Sequence, residues 1–324
     1  MRVAHYFEFE SAVSGGIRES VRHQRQMLEM SDIEYVTEPS LDVDVVHLNL
    51  MGPRSVYWAK RARNRDIPVV IHTHVTAEDF GDSFRLTNLL AGPLRPYLER
   101  VYGFGDLLVC PSAYNQSLMK GYTDTETRVV SNGVDTGKLE GTERLREEYL
   151  DRYNLSPPVV FMVGHVIKRK GLETFVETAR RLPELDFAWF GPIDRSLKGR
   201  STKRLLDTAP ANCTFTGYVD DIRGAYAAGD IFFFPTHEEN EGIAMLEAMV
   251  TGTPVVVRPI DTFEWLEDGT HCLKTTEGFD ATLERLKDES LRAKLGENAA
   301  ALGAEFGLSN VANQLTDCYT EVTA

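Results

Sequence analysis

Short apolar runs alternate with helical patterns along nearly the whole chain. This alternation is typical of parallel sheets whose strands are joined by crossover helices. The runs predicted as strands in the first half are 3–7, 33–36, 43–50, 68–72, 107–111 and 128–131. Those in the second half are 159–163, 186–190, 213–216, 231–235 and 254–257. The sequence therefore predicts an α/β protein with two successive parallel sheets.

A charged helical segment separates the two sets of strands. It covers 138–155 and is stopped by Ser156, Pro157 and Pro158. We therefore expect a Rossmann-like domain at 1–137, a linker at 138–158, a second Rossmann-like domain at 159–308 and a final amphipathic helix at 309–324. Two such sheets predict a ligand in the cleft between the carboxyl ends of their strands.

The composition excludes several classes of partner. The net charge is −14, from 35 basic and 49 acidic side chains, which argues against nucleic acid and restricts membrane contact to a local basic patch. The N-terminus does not resemble a signal peptide, and no run approaches the ~20 apolar residues of a membrane span. We expect a chain that is cytoplasmic or peripheral at the inner face of the cell membrane. The four scattered cysteines are predicted to be buried free thiols rather than zinc ligands or disulfides.

Two glutamates, Glu239 and Glu247, flank a glycine at which a helix is predicted to begin. Glu239 lies in the loop after the strand 231–235, and Glu247 lies about two turns into the helix. The free backbone N–H groups between them, which form an anion site, belong to Gly242, Ile243 and Ala244. A carboxylate for sugar hydroxyls, amides for a diphosphate and a carboxylate for a ribose suit a nucleotide sugar. A solvated acidic loop before an ordinary core helix is the alternative.

Glycines and basic residues follow the first strand of each half. Gly15 and Gly16 let the backbone approach a diphosphate closely, and their position after the first strand favours this role, although an isolated pair of glycines is more often just a turn. No G-x-G-x-x-G motif accompanies them, which argues against a dinucleotide cofactor. Lys170 precedes the glycine that opens a helix, where its charge can stabilise a leaving diphosphate. A solvated basic turn is the alternative for Lys170 and its neighbours.

Three ordered motifs resemble those of glycosyltransferase family 4, the retaining, metal-independent enzymes with the GT-B fold. They are Asn132-Gly133-Val134-Asp135, the run 164–171 and the Glu239…Glu247 element. The resemblance covers nearly the full chain. It implies two Rossmann-like domains facing across a cleft, with the C-terminal helix packing back toward the first domain. It also implies a nucleotide-sugar co-substrate, no metal or other cofactor, and retention at the anomeric carbon.

Shorter motifs are similar to those of the diacylglycerol glucosyltransferases of bacterial membranes. They are 74–80 with Ser83-Phe84, 189–191, 241–243, 258–260 and 264–266. This similarity implies transfer of a hexose from UDP-glucose to a membrane lipid hydroxyl. The alternatives are a family 4 enzyme with a soluble or polyprenyl-linked glycan acceptor, and a non-catalytic nucleotide-sugar binding protein.

The resemblance assigns catalytic roles to His74, Glu239 and Lys170. His74 matches the family's cleft histidine beside the reacting carbon, where a neutral imidazole can bond a hydroxyl. His72 points to the same side of the chain, so a swapped role stays open. The chain departs from the family at His165, where arginine is usual. Either Arg169 or Lys168 then supplies the second charge, or His165 donates a hydrogen bond itself.

The acceptor is expected beside Asp79, Phe80 and Arg85. Asp79 is predicted to orient the acceptor hydroxyl or receive its proton, and an N-cap for the segment from Ser83 is the equally weighted alternative. The stretch 85–104 is amphipathic and carries arginines, which predicts contact with an anionic membrane surface. Packing of its leucines against the first domain is the alternative.

Overall fold

The computed structural model describes residues 1–80, 87–193 and 199–324, with the side chains of 80, 87–93, 143 and 200 left aside. Contacts divide the chain into two units. The first contains 1–80, Asn88–Val134 and Phe306–Ala324, and the second contains Asp135–Glu305. Each unit is built on one parallel sheet, so the predicted α/β class is confirmed.

The first sheet has the strand order β2-β1-β3-β4-β5-β6. Its strands are β1 (Arg2–Tyr6), β2 (Glu34–Val36), β3 (Val45–Leu48), β4 (Val69–His72), β5 (Leu107–Cys110) and β6 (Glu126–Val129). The helices between them are α1 (Gly16–Glu29), α2 (Pro53–Arg63), α3 (Ala77–Phe80), α4 (Thr87–Tyr102) and α5 (Ala113–Lys120).

The second sheet has the strand order β12-β11-β10-β7-β8-β9. Its strands are β7 (Val159–Val163), β8 (Asp186–Phe190), β9 (Cys213–Gly217), β10 (Ile231–Phe234), β11 (Val255–Val257) and β12 (Leu273–Lys274). The helices are α6 (Glu143–Tyr153), α7 (Leu172–Arg181), α8 (Arg200–Asp207), α9 (Arg223–Ala228), α10 (Ile243–Val250), α11 (Phe279–Arg285) and α12 (Glu289–Gly303). Short 3₁₀ turns cover Gly137–Leu139, Asp261–Phe263 and Ala304–Phe306.

Both faces of the first sheet are covered, which explains why its strands read as continuous apolar runs. Alternate residues of each strand point to opposite faces. Val3, Val45 and Val70 pack against α1 and the C-terminal helix α13 (Leu308–Thr323). Ala4 and Val46 belong to the other face, which is covered by α2, α4 and α5.

The C-terminal helix α13 packs within the first unit, as predicted. Leu315 and Tyr319 are fully buried, and the Tyr319 hydroxyl lies 2.6 Å from Nδ1 of His47 on β3. Arg128 on β6 pairs with Glu321 near the helix end at 2.5 Å. The chain thus passes through the second unit and returns to complete the core of the first.

The segment 138–158, expected as a linker, contains helix α6, and the structure places that helix in the second unit. Tyr149 is buried with its ring 6.2 Å from that of Phe190. Arg146 bonds Asp230 at 2.8 Å and also donates to the carbonyl oxygen of Ala227. Because the segment is rich in charged residues, the sequence pattern did not indicate the apolar face with which α6 packs in the second unit.

The state of the cysteines agrees with the composition. All four cysteines are free and buried, and burial raises the pKa of each thiol to about 12. Within the described ranges, no helix is both long and apolar enough to cross a bilayer.

A row of histidines crosses the first sheet near the carboxyl ends of its strands. His5 on β1 pairs in register with His47 on β3, and their ring centroids lie 4.8 Å apart. His47 stacks on His72 of β4 at 5.9 Å, and His72 stacks on His74 at 4.3 Å. Burial lowers the pKa of His5 to about 4 and that of His74 to about 3. Burial and the neighbouring rings also hold the pKa values of His47 and His72 well below the usual range.

Acid should destabilise the first unit through these four rings. Between pH ~6.5 and ~4 the histidines of the unfolded chain bind protons, whereas those of the folded chain stay unprotonated. The free energy of unfolding therefore falls as pH falls. A ring whose pKa drops from about 6.5 to about 4 costs about 2 kcal/mol at pH 5. Urea titrations at pH 7.5 and pH ~5 measure this loss.

The variant His72→Phe keeps an aromatic ring in the stack and removes one titrating group. We expect it to lose less stability than the wild type between the two pH values. His271→Gln, at a partly exposed position of the second unit, is the matched control and should behave as the wild type. Equal losses in His72→Phe and the wild type would contradict this account.

Candidate functional site

The strand order of the second sheet creates a crevice at one point. The chain runs from β7 outward through β8 and β9, then crosses to β10 on the other side of β7. Loops after β7 and β10 therefore leave the sheet in opposite directions and expose the space between them. The predicted residues Lys170 and Glu239 lie in these two loops.

Glycines allow the loop after β7 to pack closely on its neighbours. A Cβ on Gly171, whose φ is +79°, would lie 2.3 Å from the carbonyl oxygen of Pro235. A Cβ on Gly191 would lie 1.9 Å from the carbonyl oxygen of Gly164. That same oxygen accepts a hydrogen bond from the indole of Trp189 at 2.9 Å. Only backbone without side chains fits at these contacts, which fix the position of Lys170.

Lys170 and Glu239 form an ion pair at the end of the sheet. Nζ of Lys170 lies 2.9 Å from Oε1 of Glu239, and the side chains are 15% and 10% exposed. Thr236 also donates to this carboxylate, at 3.2 Å. Burial raises the pKa of Glu239, but the charges of Lys170 and Arg169 together with the hydrogen bonds outweigh it, so the net pKa lies below its usual value. Glu239 is therefore ionised at neutral pH.

The three basic residues of the loop have different surroundings. Lys168 pairs with exposed Glu173 at 2.8 Å. Arg169 is turned the other way: it donates to the carbonyl oxygen of Glu238 and lies 3.5 Å from Glu239, with 11% of its side chain exposed. His165 is partly buried. Of the alternatives left open by the sequence, this placement favours Arg169 as the second positive charge.

The helix α10 begins at the residue that the sequence indicated. Gly242 caps it with a φ of +100°, and the first N–H groups of a helix have no partners inside that helix. Glu247 projects from the second turn and is 7% exposed. Its Oε2 accepts a hydrogen bond of 2.6 Å from the hydroxyl of Tyr226 on α9. This bond holds the carboxylate in one orientation.

His74 in the first unit belongs to a polar network. Its Nε2 lies 3.1 Å from the amide oxygen of Asn49, and the Asn49 nitrogen lies 3.2 Å from Nε2 of His5. His5 in turn lies 2.8 Å from the amide oxygen of Gln24, whose nitrogen donates to Ser20 at 3.2 Å. Because its pKa is about 3, the His74 ring is neutral at physiological pH. It is therefore suited to hydrogen bonding rather than to carrying charge.

Gly15, Gly16 and Asp79 lie in the first unit. Gly15, with a φ of +76°, caps α1, and a Cβ on Gly16 would meet no atom within 4 Å. Asp79 is in α3, and its backbone N–H donates to Thr76 at 3.0 Å. The side chain of Phe80, the whole of Arg85 and Ser83, where the segment that Asp79 could cap was predicted to start, lie outside the described residues.

Sequence reasoning missed four residues that the structure places beside predicted ones. Tyr226 bonds Glu247, and Asn49, His5 and Gln24 form the network that includes His74. His5 and Asn49 lie in or next to the apolar runs of buried strands. A polar residue in such a run could have marked both positions as functional candidates. Tyr226 and Gln24 carry no such signal, because only the packing of α9 and α1 brings them to the site.

Comparisons with known proteins agree on the family. The description Glycosyltransferase Family 4 matches residues 18–138, and Glycosyl transferases group 1 matches residues 157–288. The processive diacylglycerol alpha-glucosyltransferase of Acholeplasma laidlawii is 31% identical over 332 residues, which cover 99% of this chain and 98% of the relative. The alpha-galactosylglucosyldiacylglycerol synthase of Streptococcus pneumoniae is 25% identical, over 96% of this chain and 86% of the relative.

Solved structures show the same fold at low sequence identity. Anabaena HepE, solved with UDP-glucose, has a TM-score of 0.78 at 18% identity and covers 99% of this chain and 100% of its own. The sucrose-phosphate synthase of Thermosynechococcus elongatus has a TM-score of 0.77 at 16% identity, with 99% of each chain covered. Sequence and fold together lead to one conclusion: this chain is a glycosyltransferase that belongs to family 4 and has the GT-B fold.

Proposed function

We propose that this enzyme transfers glucose from UDP-glucose to a hydroxyl of a membrane glycerolipid, with retention at the anomeric carbon and without a metal ion. The observation that carries the proposal is the buried ion pair of Lys170 and Glu239 at the crevice of the second sheet. The free amides of α10 and the carboxylate of Glu247 follow within the same short stretch of chain.

The donor is bound by the second unit in this proposal. The amides at the start of α10 and the ammonium of Lys170 hold the diphosphate, and their positive potential stabilises the charge that develops as it leaves. Arg169 adds a second cation beside the same loop. These groups supply the charge that a metal ion provides in other sites, which is why no metal is proposed. Glu247, oriented by Tyr226, accepts from the ribose hydroxyls.

Glu239 binds the sugar in the proposed reaction. A carboxylate kept ionised by Lys170 accepts hydrogen bonds from sugar hydroxyls without a proton change. When the diphosphate departs, positive charge builds on the sugar ring, and a fixed negative charge near it is stabilising. One ion pair thus serves both sides of the breaking bond.

The identity and stereochemistry of the sugar rest on the named relatives. HepE was solved with UDP-glucose, and the A. laidlawii relative is named an alpha-glucosyltransferase. The glucose of UDP-glucose is itself α-linked, so an α product means that configuration is retained. We extend both features to this enzyme.

The lipid acceptor is supported by relatives and by one surface of this chain. Both relatives described above are named for products or substrates built on diacylglycerol. Helix α2 carries no acidic residue, although the whole chain has a net charge of −14. Its exposed side chains include Arg54, Tyr57, Lys60, Arg61 and Arg63, which we call the α2 basic patch. Such a patch is attracted to anionic lipid headgroups.

The aromatic residues of α2 suit the same surface. The Arg61 guanidinium donates to the Tyr57 hydroxyl at 2.7 Å and lies 5.9 Å from the ring of Trp58. Tyrosine and tryptophan are enriched where membranes meet water, because one side of the ring is apolar and the other is polar. The enzyme would therefore work as a peripheral protein at the inner face of the cell membrane.

Incubation of the enzyme with UDP-glucose and vesicles that contain diacylglycerol should yield a monoglucosyl lipid. Mass spectrometry identifies the product, and the coupling constant of its anomeric proton identifies the α linkage. A β-linked product would overturn retention, and transfer only to soluble glycans would overturn the lipid acceptor.

Glu239→Gln is the matched variant for this assay, because it keeps the shape and removes the charge. We expect kcat to fall by about 10²–10³, the usual effect of removing one group that stabilises developing charge. Glu173→Gln, which removes an exposed carboxylate near Lys168, is the control and should keep full activity. Normal turnover in Glu239→Gln would remove the role assigned to the ion pair.

Tyr226→Phe should weaken donor binding more than catalysis. Loss of one hydrogen bond to the Glu247 carboxylate, worth about 1.5 kcal/mol, predicts a rise of about tenfold in KM for UDP-glucose. The ribose contact is the same before and during reaction, so kcat should change little. Tyr149→Phe, a buried tyrosine of the same unit that bonds Asp221, is the control. A lower kcat with unchanged KM would contradict the ribose role of Glu247.

The α2 basic patch should set the affinity for anionic vesicles. Lys60→Glu with Arg61→Glu removes two basic residues worth about 1 kcal/mol each, so binding should weaken by about thirtyfold or more. Arg285→Glu with Lys294→Glu, at exposed positions of the second unit, changes the net charge equally and is the control. Co-sedimentation with vesicles containing phosphatidylglycerol measures both. Equal weakening in the two double variants would mean that only the overall charge matters.

A further inference from the structure

We propose that a pocket beside His72 and His74 in the first unit holds the first part of the acceptor's hydrocarbon chain, next to the hydroxyl that receives the sugar. The inference rests on the proposed lipid acceptor and adds the location at which its hydrocarbon chain is bound. The pocket has a volume of about 210 Å³. At about 30 Å³ for a water-sized group, it holds about seven methylene-sized groups.

The walls of the pocket are apolar and come from three parts of the first unit. Leu50 and Met51 follow β3, Val75 follows His74, and Leu94, Leu98 and Tyr102 are on α4. Tyr97 on the same helix fixes the wall, because its hydroxyl donates to the carbonyl oxygen of Met51 at 2.5 Å. Sugars and phosphates need many hydrogen-bonding groups, and this wall offers few. An alkyl chain matches it.

One end of the pocket is polar. Asn49, His72 and His74 lie there, and His74 and Asn49 contact each other at 3.1 Å. With a pKa of about 3, His74 is uncharged at neutral pH, so an alkyl chain beside it meets no buried charge. A glycerol hydroxyl placed at this end has a neutral imidazole and an amide to bond. The chain attached to that glycerol then runs along the apolar wall.

One side chain of the lining has a position that the fold alone does not explain. Phe9 lines the pocket, is 54% exposed and has a φ of +62°, a conformation that is unfavourable for a residue with a bulky side chain. Exposure of the ring and a strained backbone both cost free energy, and such costs concentrate at ligand sites. Tyr97, also 40% exposed, lines the same pocket. Two exposed aromatic rings mark a mouth suited to a lipid surface.

The size of the pocket has a physical meaning for an enzyme that works on a bilayer. A lipid hydroxyl must rise out of the membrane to reach His74, and each methylene lifted into water costs about 0.8 kcal/mol. A pocket for about seven carbons replaces the bilayer contacts of only those methylenes that have left the membrane. The rest of the chain stays in the bilayer, so the product can return.

Soluble acceptors of graded length test the pocket directly. With UDP-glucose as donor and 1-O-alkylglycerols of two to twelve carbons kept below their micelle concentration, KM should fall about fourfold per methylene through about seven carbons and then level off. An unchanged KM along the series would overturn the proposal.

Leu94→Trp fills the pocket from a partly buried position, and Leu118→Trp on α5 is the matched control outside it. We expect Leu94→Trp to raise KM for 1-O-octylglycerol by tenfold or more and to leave KM for glycerol unchanged. Val75→Phe is a second filling variant in case Leu94→Trp fails to fold, which thermal unfolding reports. If correctly folded filling variants keep the chain-length dependence of the wild type, the pocket does not hold the chain.

Calorimetry of 1-O-octylglycerol binding separates this inference from the proposed function. Binding with a negative heat-capacity change to the wild type, lost in Leu94→Trp but not in Leu118→Trp, supports the pocket even if no sugar is transferred. Transfer to diacylglycerol together with octylglycerol binding that Leu94→Trp leaves intact would keep the function and overturn the pocket.

Discussion

Direct contact between backbone atoms in the second sheet is the constraint on which the candidate site depends. Gly171 lies against the carbonyl group of Pro235, and this contact brings the loop after β7 onto the end of β10. A side chain at 171 would push the loops apart and separate Lys170 from Glu239, which are 2.9 Å apart. The ion pair of the site therefore requires glycine at position 171.

The ion pair itself is an unlikely source of stability. Removing two charges from water costs several kcal/mol per ion. When the pair is buried, the attraction between the charges offsets this desolvation cost with little left over. The second sheet already has a dense aromatic core in which Phe161, Phe175 and Trp189 are fully buried. A buried ion pair at the point where the strand order of this sheet reverses is best explained by a ligand that offers an anionic group to Lys170 and hydroxyl groups to Glu239.

The first unit also has a point where the strand order reverses, although its strand order is different and so are the groups found there. Its sheet reverses order beside β1, and the groups near the strand ends include neutral rings and amides: His5, Asn49 and His74. Burial keeps the rings uncharged. This difference suits the two halves of the proposed reaction, because a leaving diphosphate needs positive charge whereas an alcohol attached to a hydrocarbon chain needs hydrogen bonds in apolar surroundings.

The sequence predicted the structure best where the residues that form a feature lie in one continuous segment. The strand–helix alternation predicted the fold, and the spacing of Glu239 and Glu247 around Gly242 predicted the start of α10. It was least informative where separate elements meet. Tyr226 reaches Glu247 only because α9 packs beside α10, and segment 138–158 was read as a linker because its charges outnumber the apolar residues that dock it.

Register explains why the row of histidines was not predicted as a row. His5, His47 and His72 are 42 and 25 residues apart in the sequence, and only the parallel pairing of β1, β3 and β4 makes them neighbours. His74 was found through its resemblance to a family position, whereas its supporting partners have no motif of their own. Strand order must be known before such a row is visible, and hydrophobic periodicity does not contain it.

The acidity of His74 also limits what the ring can do in the proposed transfer. A base whose pKa is about 3 holds a proton weakly, so His74 is a poor acceptor for the proton of the attacking hydroxyl. The departing phosphate oxygen is a stronger base, with a pKa of about 6 for a phosphate monoester. Attack from the face that the phosphate leaves places these two oxygens side by side, and the proton passes between them. In the proposed transfer, retention is therefore compatible with a histidine that burial keeps neutral: the leaving group is the base, and the protein supplies orientation and charge.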